Sequence, residues 1–161
     1  MVQAHGSSDL LTVELTETAL GADPVTAEIG IRALGDAGID VSLDDFGTGY
    51  TSLMQLRSLA VSEIKIDAVF VSDLGSNDAD RQLVRAIVDL AHGIGCRVIA
   101  EGVEQSETAT WLTSIGCDAA QGYHFARPGS WQSALERFGP SDPTDNDPVR
   151  IFTAASREVT S

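Results

Sequence analysis

Three near-repeats fix most of what this chain can fold into: AGIDV at 37–41, IGCRV at 94–98 and IGCDA at 115–119. In each, a glycine closes a helix-like stretch and the chain passes at once into a strand start. Strands entered directly from helices, with short connections, pair in parallel through crossover helices. The fold class is therefore α/β.

The rest of the sequence supplies the matching units. Residues 10–14 (LLTVE) read as a buried strand. Asp23-Pro24 caps a helix, with proline at its first position where a missing N–H costs nothing. That helix runs to about Ala37 with Ile29, Ile31 and Leu34 as inward residues, and Gly38 ends it. A second strand begins at 41–43 and leads through a glycine-containing loop to a short helix near 52–58. The third strand is 64–66, and a helix over about 80–94 repeats apolar residues at Leu83, Val84, Ile87, Val88 and Ala91, a three-to-four-residue spacing. The fourth strand is 97–100, Ser106 caps a helix to Ile115, the fifth strand is 119–122, and SWQSALERF at 130–138 predicts a closing helix.

The 161 residues suit one domain, and 43% hydrophobic against 21% charged residues suits a globular one. The expected division is an N-terminal extension over 1–9, the α/β unit over 10–138, and a disordered tail over 139–161, where GPSDPTDNDP lacks any periodicity. Ten Lys and Arg against 24 Asp and Glu give a net charge of -14, which repels phosphate backbones and argues against an extended nucleic-acid interface. A small phosphate ligand remains compatible if metal cations stand between it and the carboxylates. No apolar run is long enough for a membrane segment, and the start lacks a secretory signal. Cys96 and Cys117 make no disulfide framework, so a cytoplasmic location is expected.

Polar residues sit where each strand runs out. Glu14 ends the first, Asp44 and Asp45 the second, Lys65 and Asp67 flank Ile66 in the third, Glu101 ends the fourth and Gln121 lies in the fifth. The carboxyl ends of parallel strands form one face, where ligands bind. Carboxylates this close repel one another unless a cation is present. Oxygen donors without a converging His or Cys set favour Mg²⁺, Mn²⁺ or Ca²⁺ over zinc. Two ions served by adjacent aspartates would activate water against a phosphodiester. A single strand-end carboxylate is as often a helix cap or a solvated loop residue; five strands in register make that account weaker. Lys65, between Ile64 and Ile66, must point away from both. It serves as an ion-pair partner or as a water-orienting ammonium. His124 reads as packed or solvated, since no second His stands at metal spacing, and both cysteines read as buried thiols at the far strand ends.

Glu14-Leu-Thr-Glu17, DDFGTGYTSL at 44–53, IKID at 64–67, EGVE at 101–104 and QGYHFARP at 121–128 resemble, in order and spacing, the EAL-type cyclic di-GMP phosphodiesterases of bacteria. The resemblance covers about residues 10–138. It implies a TIM-like barrel, of which about five βα units are represented, and hydrolysis of cyclic di-GMP to pGpG with Mg²⁺ or Mn²⁺ at a two-metal site. It also implies Glu14, Asp44, Asp45 and Glu101 as metal ligands, and Lys65, Glu101 and Gln121 as catalytic residues. Glu17 would brace the loop of Gly47, Thr48, Gly49 and Tyr50, while Asp67 and Glu104 would face the substrate. Thr51 stands where the family has Ser, and Ala68 where it often has a basic residue.

The family's Glu-x-Leu motif and a metal-binding Asn precede the ELTE strand, and neither is found ahead of it here. The expectation is an incomplete barrel whose first and last strands have open edges. A second copy or another chain would cover these edges, and a partner or a missing segment would complete the enzyme. The alternative is an inactive regulator that binds cyclic di-GMP or a protein partner.

Overall fold

The computed structural model describes residues 11–49, 51–75, 77–130 and 132–133. Five parallel strands form one sheet in the order β1-β2-β3-β4-β5: Thr12–Thr16, Asp40–Phe46, Glu63–Ile66, Arg97–Ala100 and Ala119–Ala120. Sequential order with parallel pairing is what crossover helices on one face produce. The described strands do not close, so β1 and β5 each pair on one side only, an incomplete barrel as expected.

Helices α1 (Glu17–Ala22) and α2 (Pro24–Asp36) join β1 to β2, and α3 (Leu53–Ser58) joins β2 to β3. Helices α4 (Ala68–Val71) and α5 (Asp78–Gly93) lead to β4, and α6 (Ser106–Ser114) leads to β5. Three helix starts carry side-chain caps, whereas Ser106, expected as a cap, is the first residue inside α6, whose N-cap Gln105 makes no side-chain bond. Asp23 accepts from the Thr26 N–H at 3.2 Å, Ser52 from Gln55 at 3.1 Å and Asn77 from Ala79 at 3.0 Å. Gly38, Gly95 and Gly116 adopt φ of 74°, 84° and 85°, so all three repeated junctions use the left-handed conformation that lets a helix stop and turn into a strand.

Leu43, Ile64, Ile66 and Val98 from the strands pack on Leu20, Val84, Val88 and Leu112 from the helices, all of them buried. All four residues of β3 are buried, as befits the central strand of a sheet covered on one face and curved on the other.

Several expectations need correction. Ile29 is 65% exposed while Ile31 is buried and Leu34 half-buried against the core. Residues two apart lie about 200° apart around a helix, so Ile29 and Ile31 cannot both face inward. Leu83 is 41% exposed, at the margin of the apolar stripe of α5. The first strand, expected to be buried, spans Thr12–Thr16 with Thr12 and Glu14 exposed and its other residues half-buried, and Gln121 follows β5 rather than lying in it. Short helices α1 and α4 occupy stretches to which the sequence pattern assigned no element. The expected closing helix lies mostly outside the described residues, as do the extension over 1–9 and the tail over 139–161. No described helix is long and apolar enough to cross a membrane.

Candidate functional site

Parallel register decides which side chains converge. Glu14 is paired with Ser42, Ser42 with Glu63, and Glu63 with Arg97, so these residues share the concave face with Asp44, Lys65 and Glu101, which follow at two-residue steps. Lys65 is 4% exposed, and its ammonium meets three carboxylates from three strands. Nζ lies 3.0 Å from Glu14 Oε1, 3.1 Å from Asp44 Oδ1 and 2.6 Å from Glu101 Oε1. Gln121, held by its N–H to the Ala100 carbonyl at 2.8 Å, donates its side-chain amide to Glu101 Oε1 at 2.6 Å.

Adjacent strand residues normally point to opposite faces, so Asp45 should face away from Asp44. Two features bring it back. The β2–β3 register shifts between Leu43 and Phe46, and Asp45 adopts φ of 56°, the only positive φ outside glycine among the described residues. The Asp44 carboxylate accepts the Asp45 N–H at 3.1 Å, and the Asp45 carbonyl accepts the Thr48 hydroxyl at 2.8 Å and its N–H at 3.3 Å. As a result one carboxylate oxygen from each of Asp44, Asp45 and Glu101 lies within 4.8 Å of the other two.

Charge in this cluster is unbalanced. Burial works against the ammonium of Lys65, yet hydrogen bonds to Glu101, Glu14 and Asp44 outweigh it and raise the lysine above its ordinary value. Glu101 is raised as well: burial is the largest cause, and the charges of Asp44 and Glu14 add to it against the pull of Lys65. Asp45 is raised by burial and then by the charges of Asp44 and Asp67. One ammonium therefore does not neutralise the set, and the donors are hard oxygens. Such a set fits a divalent cation.

The loop after Asp45 is held by Glu17, which is 3% exposed. Its Oε2 accepts the Gly47 and Gly49 N–H groups at 3.0 and 2.9 Å, and its Oε1 accepts the Thr51 N–H at 2.7 Å. Burial alone would raise this carboxyl, but the three backbone donors at Thr51, Gly49 and Gly47 outweigh it and hold it below the usual range. A Cβ built at Gly49 would stand 2.8 Å from Glu17 Cδ, so the close approach requires glycine.

The structure thus brings together Glu14, Asp44, Asp45, Lys65, Glu101 and Gln121, and sets Glu17 under the loop. Asp67 caps α4, accepting the Val69 N–H at 2.7 Å while facing Asp45. Glu104 is exposed, and Tyr50 lies outside the described residues. His124 is exposed, its ring set edge-on to Phe125, in agreement with a packed or solvated histidine. Sequence reasoning missed α4 and with it Phe70, because the apolar run AVFV carries no helical period in four residues.

The sequence model described as EAL domain matches residues 1–128. The chain belongs to the EAL domain family. It is 43% identical over 118 residues to the cyclic di-GMP phosphodiesterase PdeR of Escherichia coli, a match covering 73% of this chain and 18% of that protein. The solved structure of the PaMucR phosphodiesterase in complex with c-di-GMP superposes with a TM-score of 0.75 at 37% identity, over 78% of this chain and 51% of that one. BlrP1 of Klebsiella pneumoniae, in a manganese and cyclic di-GMP complex, gives a TM-score of 0.69 at 34% identity, over 74% of this chain and 31% of that one. The chain spans about a fifth of the length of the curated relatives it matches.

Proposed function

We propose that this EAL domain chain contributes to the metal-dependent hydrolysis of cyclic di-GMP to pGpG, in a cytoplasmic enzyme. The observation that carries this reading is the Lys65 ammonium bonded to carboxylates of Glu14, Asp44 and Glu101, with Gln121 donating to the same Glu101 oxygen. Two buried cysteines without a disulfide agree with a reducing compartment.

Asp44, Asp45, Glu101 and Glu14 would hold Mg²⁺ or Mn²⁺, as a two-ion set. When bound, the cations supply Lewis acidity and neutralise charge on the phosphodiester. Lys65, kept protonated by its three anions, donates to the attacking water and fixes its position. Gln121 is oriented by its bond to Glu101 and offers its amide oxygen to that water. Glu17 holds the Gly47–Gly49 backbone so that Asp45 stays turned toward Asp44. Asp67 and Glu104 border the substrate.

Strands pairing with the free edges of β1 and β5 complete the site, whether they come from a longer chain, a second copy or a partner. This part of the reading is supported by the one-sided pairing of both strands among the described residues.

The test is incubation of the purified chain with cyclic di-GMP and Mn²⁺, with pGpG as the product sought. Glu14→Ala and Asp44→Ala should abolish product, and Glu104→Ala should only reduce it. Micromolar binding in calorimetry without product would overturn hydrolysis by this chain and leave a binding regulator.

A further inference from the structure

The turn that presents Asp45 is bent at two positions, Asp45 with φ of 56° and Gly47 with φ of 102°. The left-handed region is disfavoured for a residue with a Cβ, though less so for Asp than for most, so surrounding contacts help to hold it there. Glu17 supplies one side of that support, through its bonds to Gly47 and Gly49. A second support is an aromatic ring from another element. A Cβ built at Gly47 would lie 2.8 Å from Phe70 Cε2 and 3.3 Å from Phe70 Cζ, so the ring edge occupies the space a side chain would need there.

Phe70 itself is well anchored. It sits in α4 between the Asp67 cap and buried Val71, its N–H donates to the Asp67 carbonyl at 3.1 Å, and its ring packs against the core. The same four-residue helix therefore begins with a carboxylate facing Asp45 and ends with a ring under Gly47. Its neighbour Val69 is 59% exposed and takes no part.

We propose that Phe70 is a positioning residue for Asp45: wedged against Gly47, which Glu17 also holds, it locks the Asp45–Gly47 turn and so keeps the Asp45 carboxylate beside Asp44 and Glu101. The link to metal affinity rests on the proposed role of Asp45 as a ligand, whereas the lock on the turn does not. Dispersion contacts fall off within fractions of an ångström, so shortening the ring loosens the turn without removing the Glu17 bonds.

Two measurements on the purified chain separate these parts. Amide hydrogen exchange of Gly47 and Gly49 reports the turn, and Mn²⁺ titration followed by electron paramagnetic resonance reports the site. Phe70→Leu should speed exchange at Gly47 and Gly49 about tenfold while β3 and β4 amides keep their protection, and should weaken Mn²⁺ binding severalfold. Phe70→Ala should do both more strongly, and Val69→Ala neither. Unchanged exchange at Gly47 and Gly49 in folded Phe70→Leu would overturn the proposal. So would faster exchange with Mn²⁺ affinity equal to the parent's. A parent chain that binds no Mn²⁺ would refute the metal reading by itself, and the exchange result would still decide whether Phe70 locks the turn.

Discussion

Lys65 Nζ and Glu101 Oε1 stand 2.6 Å apart, the shortest of three contacts that tie one ammonium to carboxylates in β1, in β2 and just after β4. Removing that ammonium leaves three anions facing one another without a cation. Breaking a buried ion pair from one side costs about 3–5 kcal/mol. Lys65→Met should therefore lower metal-free stability by about 3 kcal/mol in urea unfolding at neutral pH. Mn²⁺ should narrow the gap between variant and parent, because a cation between the carboxylates replaces the lost charge. A gap indifferent to Mn²⁺ would show that these oxygens do not hold the ion.

Glu17 makes stability depend on pH. Its folded value lies below its ordinary one, because the N–H donors of Thr51, Gly49 and Gly47 outweigh burial. Its contribution is complete above the unfolded value of about 4.3 and disappears as pH falls through the lowered folded value. Glu17→Gln keeps the shape but replaces the charge with an amide, and should cost about 1–3 kcal/mol at neutral pH. Below about pH 5, the parent should lose stability faster than the variant, so the two unfolding curves converge in acid. Parallel curves would mean the carboxylate is not what holds the loop.

Two glycines should respond in opposite directions. A Cβ at Gly30, inside α2, meets nothing within 4 Å. Alanine there removes backbone freedom from the unfolded chain and should stabilise by about 0.5–1 kcal/mol. A Cβ at Gly49 would stand 2.8 Å from Glu17 Cδ and 3.1 Å from Glu17 Oε2. Gly49→Ala must push the carboxylate off its donors and should destabilise by about 1–3 kcal/mol. Thermal melting of the two variants beside the parent checks both signs.

Much of this arrangement was legible in the sequence because strand period and helix stops are local. IGCRV places the start of β4 to the residue, and IKID fixes Lys65 on the face opposite Ile64 and Ile66. Asp44 and Asp45 were readable as a pair, but their shared direction was not. Strand alternation alone separates them, and only the shifted register and the left-handed Asp45 reunite them. The placement of Ile29 failed for a related reason. Hydrophobicity marked it as inward, while the angle separating it from Ile31 turns it to the surface. Helix α4 was hidden because four apolar residues fit either a strand end or a helical turn, and the Asp67 cap decides between them through a bond to Val69.

The far end of the sheet offers a prediction independent of the candidate site. Burial pushes the Cys117 thiol up to about 11, with the charge of Asp118 adding to it against backbone hydrogen bonds, and burial raises Cys96 as well. Cys117 Sγ lies 3.2 Å from the Ala119 carbonyl and Cys96 Sγ 3.2 Å from that of Val61, so each thiol has an acceptor for its proton. The thiolate is the reactive form, and a free cysteine has a value of about 8.5. At pH 8 the native Cys117 should therefore react with iodoacetamide at least about 100-fold more slowly than in urea-unfolded chain, from the thiolate fraction alone. Mass spectrometry of the two cysteine peptides over time gives both rates. Native labelling of Cys117 as fast as in urea would mean that this strand end is open to solvent.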